Sequence, residues 1–312
     1  MVVTGQDRYY TGPVDGSVEP VTELRVEEHA DLDLQSTRGL VELLNDEDAK
    51  VPGAVRSVAG PLAAAIDAIV QRLEDGGRLV YVGAGSSGRL ALVDAAECGP
   101  TFGVPPGQVL AVVAGGSGAL AVAQEAAEDD ELAGEADLAA IGVGPPDAVV
   151  AVSASGTTPY VLGAARAAGS AGALTIAVVC APDSELGRLV GHEIVAVVGP
   201  ELIAGSTRLK AGTAQKLVLN TISTVTMIRL GKTFGNLMVD VVAGNAKLRA
   251  RARRAVALAT GASDEEVDAA LEAAGGEAKV AIVSLLSGVD MDDARARLRA
   301  SGGIVRRSLD GS

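Results

Sequence analysis

Tryptophan is absent from these 312 residues, only two cysteines and two histidines occur, and aromatic residues make up 2% of the chain. Each shortage excludes something. Cys98 and Cys180 lie far apart in the sequence, which suggests neither a disulfide framework nor a zinc cluster and fits a reducing compartment. With His29 and His192 alone, neither a histidine-ligated metal nor a Ser-His-Asp arrangement is indicated. Basic residues are outnumbered: 26 Lys+Arg against 40 Asp+Glu give a net charge of -14. No Lys/Arg block is long enough to track a phosphate backbone, so nucleic acid is not an expected partner. The opening stretch MVVTGQDRYYTGPVDGSVEP lacks the apolar run of a signal peptide, and no later stretch reads as a membrane span. A cytoplasmic protein that does not engage a membrane is expected.

What is present is apolar and periodic. Hydrophobic residues make up 48% of the chain, enough for one large α/β domain or one domain with a smaller companion. Residues 1–22 read as a loose arm rich in Gly, Pro and polar residues. From Thr37 to Gly77 the spacing is helical, interrupted by Pro52 and Pro61. GRLVYVGAGSSGRLALVDAAEC then passes from a β-rich run through a Gly/Ser turn into a helix, and the pattern recurs in QVLAVVAGG and in DAVVAVSASGTTPYVLGAARAAG. LTIAVVCAP and EIVAVVG add two more apolar strands. Near-continuous apolar runs, without alternation, indicate strands buried on both faces of a parallel sheet. The expected architecture is a three-layer α/β sandwich, flavodoxin-like, spanning 23–245 with helices at its N-terminal side, followed by a small helical subdomain at 246–312. In that subdomain Ser and Asp caps open short helices joined by Gly-containing turns.

Two loops carry the chemistry of anion binding. GAGSSG (83–88) and SASGTT (153–158) each follow a buried strand and precede a helix. Small residues let a ligand approach the backbone, hydroxyls donate hydrogen bonds, and free N–H groups at a helix start favour a phosphate. Neither is a Walker loop, and GAGSSG matches only the loose G-x-G-x-x-G form. The acidic residue that a dinucleotide ribose needs after the second strand is missing from VLAVVAGG, so hydroxyl-lined loops suit a sugar phosphate better. Further on, Thr213, Lys216, Asn220 and Thr224 are spaced 3, 4 and 4 along a helix of otherwise apolar residues. Two readings of that stripe stay open: the wet edge of an amphipathic helix, or a face turned to a polar ligand or a subunit. Glu97 and Glu128 read singly as surface acids; if they converge, one protonated and one ionised carboxyl can serve as general acid and general base.

Together VGAGSSGRLALVDAAECGPTFGV, AGGSGALAVAQEAAEDD, SASGTTPYV, GSTRLKAGTAQKLVLN and GKTFGNLMVDVVAGNAKL resemble the N-acetylmuramic acid 6-phosphate etherase family, part of the sugar isomerase (SIS) superfamily, from about Thr22 to Arg307. The resemblance implies a homodimer with no metal or organic cofactor, acting on a small-molecule sugar phosphate. The implied reaction cleaves the D-lactyl ether of N-acetylmuramic acid 6-phosphate in cell-wall recycling. Glu97 then falls on the proton donor of the family and Glu128 on its second catalytic glutamate, taken as the base. Ser86, Ser87, Ser153, Ser155 and Thr157 fall on the superfamily's phosphosugar contacts, with Lys210 counted beside them as a cation for an anionic substrate. The chain departs from the common family pattern at Gly99, Thr157 and Leu209. Retention of both Glu97 and Glu128 favours the enzyme over a non-catalytic phosphosugar-binding regulator similar to glucokinase regulatory protein.

One geometric question follows. On a continuous helix Glu97 would lie about 15 Å along the axis from Ser87, farther than phosphorus is from C3 in a hexose 6-phosphate. Either Gly99-Pro100 breaks the helix and folds Glu97 back, or Glu97 serves the substrate of a neighbouring subunit.

Overall fold

The computed structural model describes residues 20–120, 124–241 and 246–310. Most of the expected N-terminal arm, and residues 121–123 and 242–245 of the family-like stretches, lie outside them. Two compact units divide the chain, Met1–Ala95 with Leu110–Ile222 and Ala96–Val109 with Ser223–Ser312.

In the first unit three helices precede the sheet: α1 (Thr37–Asp48), α2 (Val51–Ser57) and α3 (Ala59–Glu74). Ser36 caps α1 by accepting from the Gly39 N–H, and Pro52 and Pro61 both fall in first turns, where a missing N–H costs nothing. Strand β1 (Leu79–Gly83) leads into α4 (Gly85–Phe102), and β2 (Val109–Val113) follows. Next come α5 (Glu131–Ala140), β3 (Ala148–Val152), α6 (Pro159–Ser170), β4 (Leu174–Val179), α7 (Glu185–Leu189), β5 (His192–Val195) and α8 (Lys210–Arg229). The strands form one sheet in the order β2-β1-β3-β4-β5. Leu79 pairs with Ala148, Ala148 with Leu174 and Ile176 with His192, all in parallel register. Every residue of β1 and β3 is buried, as the unbroken apolar runs require. Arg78 pins the register at the lower edge, its backbone N–H and guanidinium both donating to Asp147. Because the chain leaves β1 outward to β2 and returns across it to β3, the topological switch point lies at the upper ends of these strands, where open α/β sheets bind ligands.

The second unit contains a short hairpin, β6 (Thr233–Phe234) with β7 (Leu237–Met238), and the helices α9 (Ala246–Thr260), α10 (Asp264–Ala273), α11 (Ala278–Ser287), α12 (Met291–Ala300) and α13 (Val305–Leu309). Ser263 and Glu266 form a complete capping box on α10, and Asp290 caps α12. Glu277, at the N-cap of α11, makes no side-chain cap. Val256, Val267, Ala281, Ile282 and Leu298 centre a separate apolar core.

Of the two alternatives for Glu97, the break at Gly99-Pro100 does not occur. α4 runs through Pro100 to Phe102. Pro100 removes only one N–H near the end of the helix, and Gly103, at φ +63°, closes the last turn with its N–H on the Gly99 carbonyl at 2.9 Å. Among the described residues no single helix is long and apolar enough to cross a membrane.

Candidate active site

The turn between β1 and α4 is tight because two glycines meet. A Cβ on Gly83 would lie 2.8 Å from the Gly88 nitrogen, and one on Gly88 would lie 2.7 Å from the Gly83 oxygen. α4 therefore starts directly on top of the strand. Its first N–H groups, those of Gly85, Ser86 and Ser87, precede any intrahelical acceptor, and the positive end of the helix dipole adds to them. Gly85 adopts φ +52°, and a Cβ there would come within 2.5 Å of Glu128 Oε1. The space of the missing side chain is where the Glu128 carboxylate rests.

The second loop is bonded to itself. Ser153 Oγ pairs with Thr158 Oγ1 at 2.9 Å and accepts from the Gly156 N–H, while Ser155 Oγ pairs with Thr157 Oγ1 at 2.9 Å and accepts from the Thr157 N–H. Thr158 sits at the N-cap of α6, next to Pro159, and its side chain caps no backbone N–H. The first N–H of that helix, on Tyr160, donates to the backbone carbonyl of Glu128 at 3.0 Å. Glu128 thus touches the first loop by its carboxylate and the start of α6, which follows the second loop, by its main chain.

A cavity of about 430 Å³ opens between them, within the size range of small-molecule sites. Ser86, Ser87, Glu128 and Ser155 line it, joined by Thr158, Arg89, Arg208 and Glu23. Its charged side chains are two of each sign. The Arg89 guanidinium is fixed by donating to the Ala119 carbonyl from Nε at 3.1 Å and from Nη2 at 2.9 Å. A larger cavity, about 840 Å³, lies within the second unit around Asp240, Lys279 and Arg295. None of the candidate catalytic or substrate-binding residues read from the sequence lines it, so size does not decide here.

Four of the expected residues stand outside the lining. Thr157 is exposed and outside the lining, and its neighbour Thr158 takes that place. Lys210 is 2% exposed, and its ammonium is paired with Glu47 of α1, while its backbone N–H donates to Glu201. Glu97 is exposed on the later turns of the unbroken α4. Ser153 is buried beneath the loop that it holds together. In the polar stripe, Thr213, Lys216 and Thr224 are exposed, whereas Asn220 donates to Asp94 at 2.6 Å.

Electrostatics fix the third wall, Ser206 to Arg208. Burial raises the Glu201 carboxyl above its ordinary range, a rise moderated by the N–H groups of Ala211 and Lys210 that it accepts. Burial also pushes Glu47 up, but the hydrogen bonds and charges of Lys210 and Lys50 together carry it below its ordinary value. These contacts anchor the start of α8. Sequence reasoning missed Gln215, whose Oε1 accepts from Ser87 Oγ at 2.9 Å; its signal was a polar residue on the apolar face of α8.

Residues 61–168 match the family model of the glucokinase regulatory protein N-terminal SIS domain. The chain is 61% identical over 291 residues to an N-acetylmuramic acid 6-phosphate etherase of Rubrobacter xylanophilus, a match covering 93% of this chain and 96% of that one. It is 54% identical over 288 residues to a protein of the same name from Streptomyces avermitilis, covering 92% and 93%. Among solved structures, a phosphoheptose isomerase from Francisella tularensis is similar with a TM-score of 0.50 at 19% identity, covering 62% of this chain and 99% of that one. That last likeness concerns the fold alone.

Proposed function

The chain belongs to the N-acetylmuramic acid 6-phosphate etherase family, and from that premise we propose that it cleaves the D-lactyl ether of N-acetylmuramic acid 6-phosphate, giving N-acetylglucosamine 6-phosphate and D-lactate. The observation that carries this reading is the Glu128 carboxylate against Gly85, in one cavity with Ser86, Ser87 and Ser155. A carboxylate base and an anion-binding helix start share one small-molecule site.

The chemistry is that of a carbon–oxygen lyase followed by hydration. In the open-chain sugar the C1 aldehyde makes the C2 proton acidic. Glu128 takes that proton, the C3–O bond breaks, and Glu97 protonates the departing lactate oxygen. Water then adds across the C2=C3 bond of the unsaturated aldehyde, its hydroxyl to C3 and its proton to C2. Each positioned proton transfer contributes about 10²–10⁴-fold. The open N–H groups of α4 and the hydroxyls of Ser86, Ser87 and Ser155 hold the phosphate, while Arg89 and Arg208 offset the charge of a polyanionic substrate in an acidic protein.

Glu97 stands ten residues past Ser87 on one unbroken helix, about 15 Å along its axis. This supports a homodimer in which Glu97 acts on the partner's substrate. Mixing Glu97→Ala and Glu128→Ala proteins tests it: activity returns in the mixture if the two glutamates of each site come from different chains, and stays absent if they come from one. A cytoplasmic setting within cell-wall amino-sugar recycling accords with two buried cysteines, Cys98 and Cys180, that are not joined in a disulfide.

The deciding experiment is incubation of the protein with N-acetylmuramic acid 6-phosphate and an assay for D-lactate. Release of lactate with N-acetylglucosamine 6-phosphate is expected. Folded protein that binds the sugar phosphate and releases no lactate would instead be a regulator.

A further inference from the structure

Gln215 sits on α8 with 1% exposure, among Ala214, Val218 and Leu219, all fully buried. Its carboxamide makes one contact with the cavity wall, accepting from the Ser87 hydroxyl at 2.9 Å. In that orientation Nε2 is buried and has no acceptor among the described residues. A buried donor left unmet costs about 1–3 kcal/mol. The hydroxyl proton of Ser87 is meanwhile turned inward, away from the cavity that Ser87 lines.

A half-turn of the carboxamide exchanges oxygen and nitrogen in almost the same space. Nε2 then stands where Oε1 stood and donates to Ser87 Oγ, and the carbonyl takes the partnerless place, which a carbonyl tolerates better than an N–H does. Since Ser87 now accepts from Gln215, its own proton is free to point into the cavity beside the N–H groups that lead α4. Resting on the reading above that the start of α4 takes the phosphate, we infer that Gln215 is a positioning residue: its reversed carboxamide makes Ser87 a hydrogen-bond donor to the bound phosphate. This dependence separates Ser87 from Ser86 and gives the buried glutamine of α8 a part in substrate selection.

A double-mutant cycle on inorganic phosphate binding, measured by calorimetry, tests the inference without requiring turnover. Ser87→Ala and Gln215→Met should each weaken phosphate about tenfold, as expected for one hydrogen bond to a charged group, and the double variant should be no weaker than either. Gln215→Glu should weaken phosphate in the Ser87 background, because a carboxylate can only accept and keeps the Ser87 proton turned inward. Thermal melts establish folding, and the cycle is carried on Gln215→Glu if the Met variant does not fold. With substrate, the loss should appear in KM while kcat is retained. Additive losses in the double variant, unchanged phosphate affinity in Gln215→Met, or no phosphate binding by the unaltered protein would each overturn it. Failure of the proposed reaction is read separately, as absence of D-lactate from the unaltered protein.

Discussion

After β1, the hydroxyls of Ser86 and Ser87 stand on the first turn of a helix whose leading N–H groups have no intrahelical acceptor; after β3, the hydroxyls of Ser153, Ser155, Thr157 and Thr158 are bonded to one another. The first loop is open toward the cavity and is supported from outside, by Gln215 of α8 and by the Glu128 carboxylate. The second is closed, keeping its shape through bonds within six residues. An anion arriving at the open loop meets leading N–H groups that have no intrahelical acceptor, whereas at the closed loop each new bond to a hydroxyl is exchanged for an existing one, so the net gain is smaller. Similar residues after similar strands are therefore proposed to do different work: one loop to supply donors, the other a preset wall.

The sharpest test of this division falls on Glu128, which touches the first loop and the helix that follows the second. Glu128→Gln keeps the side-chain shape and the carbonyl that receives the Tyr160 N–H, but removes the proposed base; lactate release should drop by about 10²–10⁴-fold. Phosphate affinity should be kept, which calorimetry would check. Next in size, the double change Ser86→Ala with Ser87→Ala should raise KM by more than about tenfold, and Ser155→Ala by several-fold less, because Ser155 is already paired with Thr157. A larger rise from Ser155→Ala than from the double change would reverse the roles of the loops. Smaller again, Ser153→Ala should cost about 1–3 kcal/mol of stability in denaturant unfolding, with KM almost unchanged, since its hydroxyl is buried and serves Gly156 and Thr158.

The sequence made the strands and both loops legible because their signals are local: unbroken apolar runs, then Gly and Ser, then helical spacing. It did not separate the loops, because the separation rests on bonds whose partners are chosen by packing. Gln215 meets Ser87 across 128 positions and Lys210 meets Glu47 across 163, and no local pattern announces either pair. Lys210 therefore read as a cation for the substrate when its charge is held by α1. Thr158 could have been found, since a Thr immediately before a helix-opening Pro marks an N-cap. The Gly99-Pro100 pair left a helix break open as one of two alternatives: proline ends a helix when it lies in the interior, but here it falls two residues before the helix ends of its own accord.

The smallest effect concerns the outside support that the open loop needs and the closed loop does not. Gln215 reaches Ser87 from the second turn of α8, and the start of that helix is held by two carboxylates of opposite behaviour. Glu47 has its pKa lowered in the folded protein, so its contribution to stability is full above its ordinary value of 4.5 and is lost as pH falls below that. Glu201 has its pKa raised, so its contribution is full below 4.5 and is lost as pH rises through the raised value. Acidification should thus weaken the Glu47–Lys210 anchor while relieving the buried charge of Glu201. In thermal melts taken from neutral pH to below 4.5, Glu47→Gln should flatten the acid-side loss of stability, and Glu201→Gln should steepen it by removing the compensating group. If the anchor matters to the open loop in particular, phosphate affinity should fall with pH before the melting temperature does, and Lys210→Met should show the same weakened phosphate binding already at neutral pH. A Lys210→Met protein that loses stability and keeps full phosphate affinity would mean that α8 holds Ser87 without help from its first turn, and the open loop would then be as self-sufficient as the closed one.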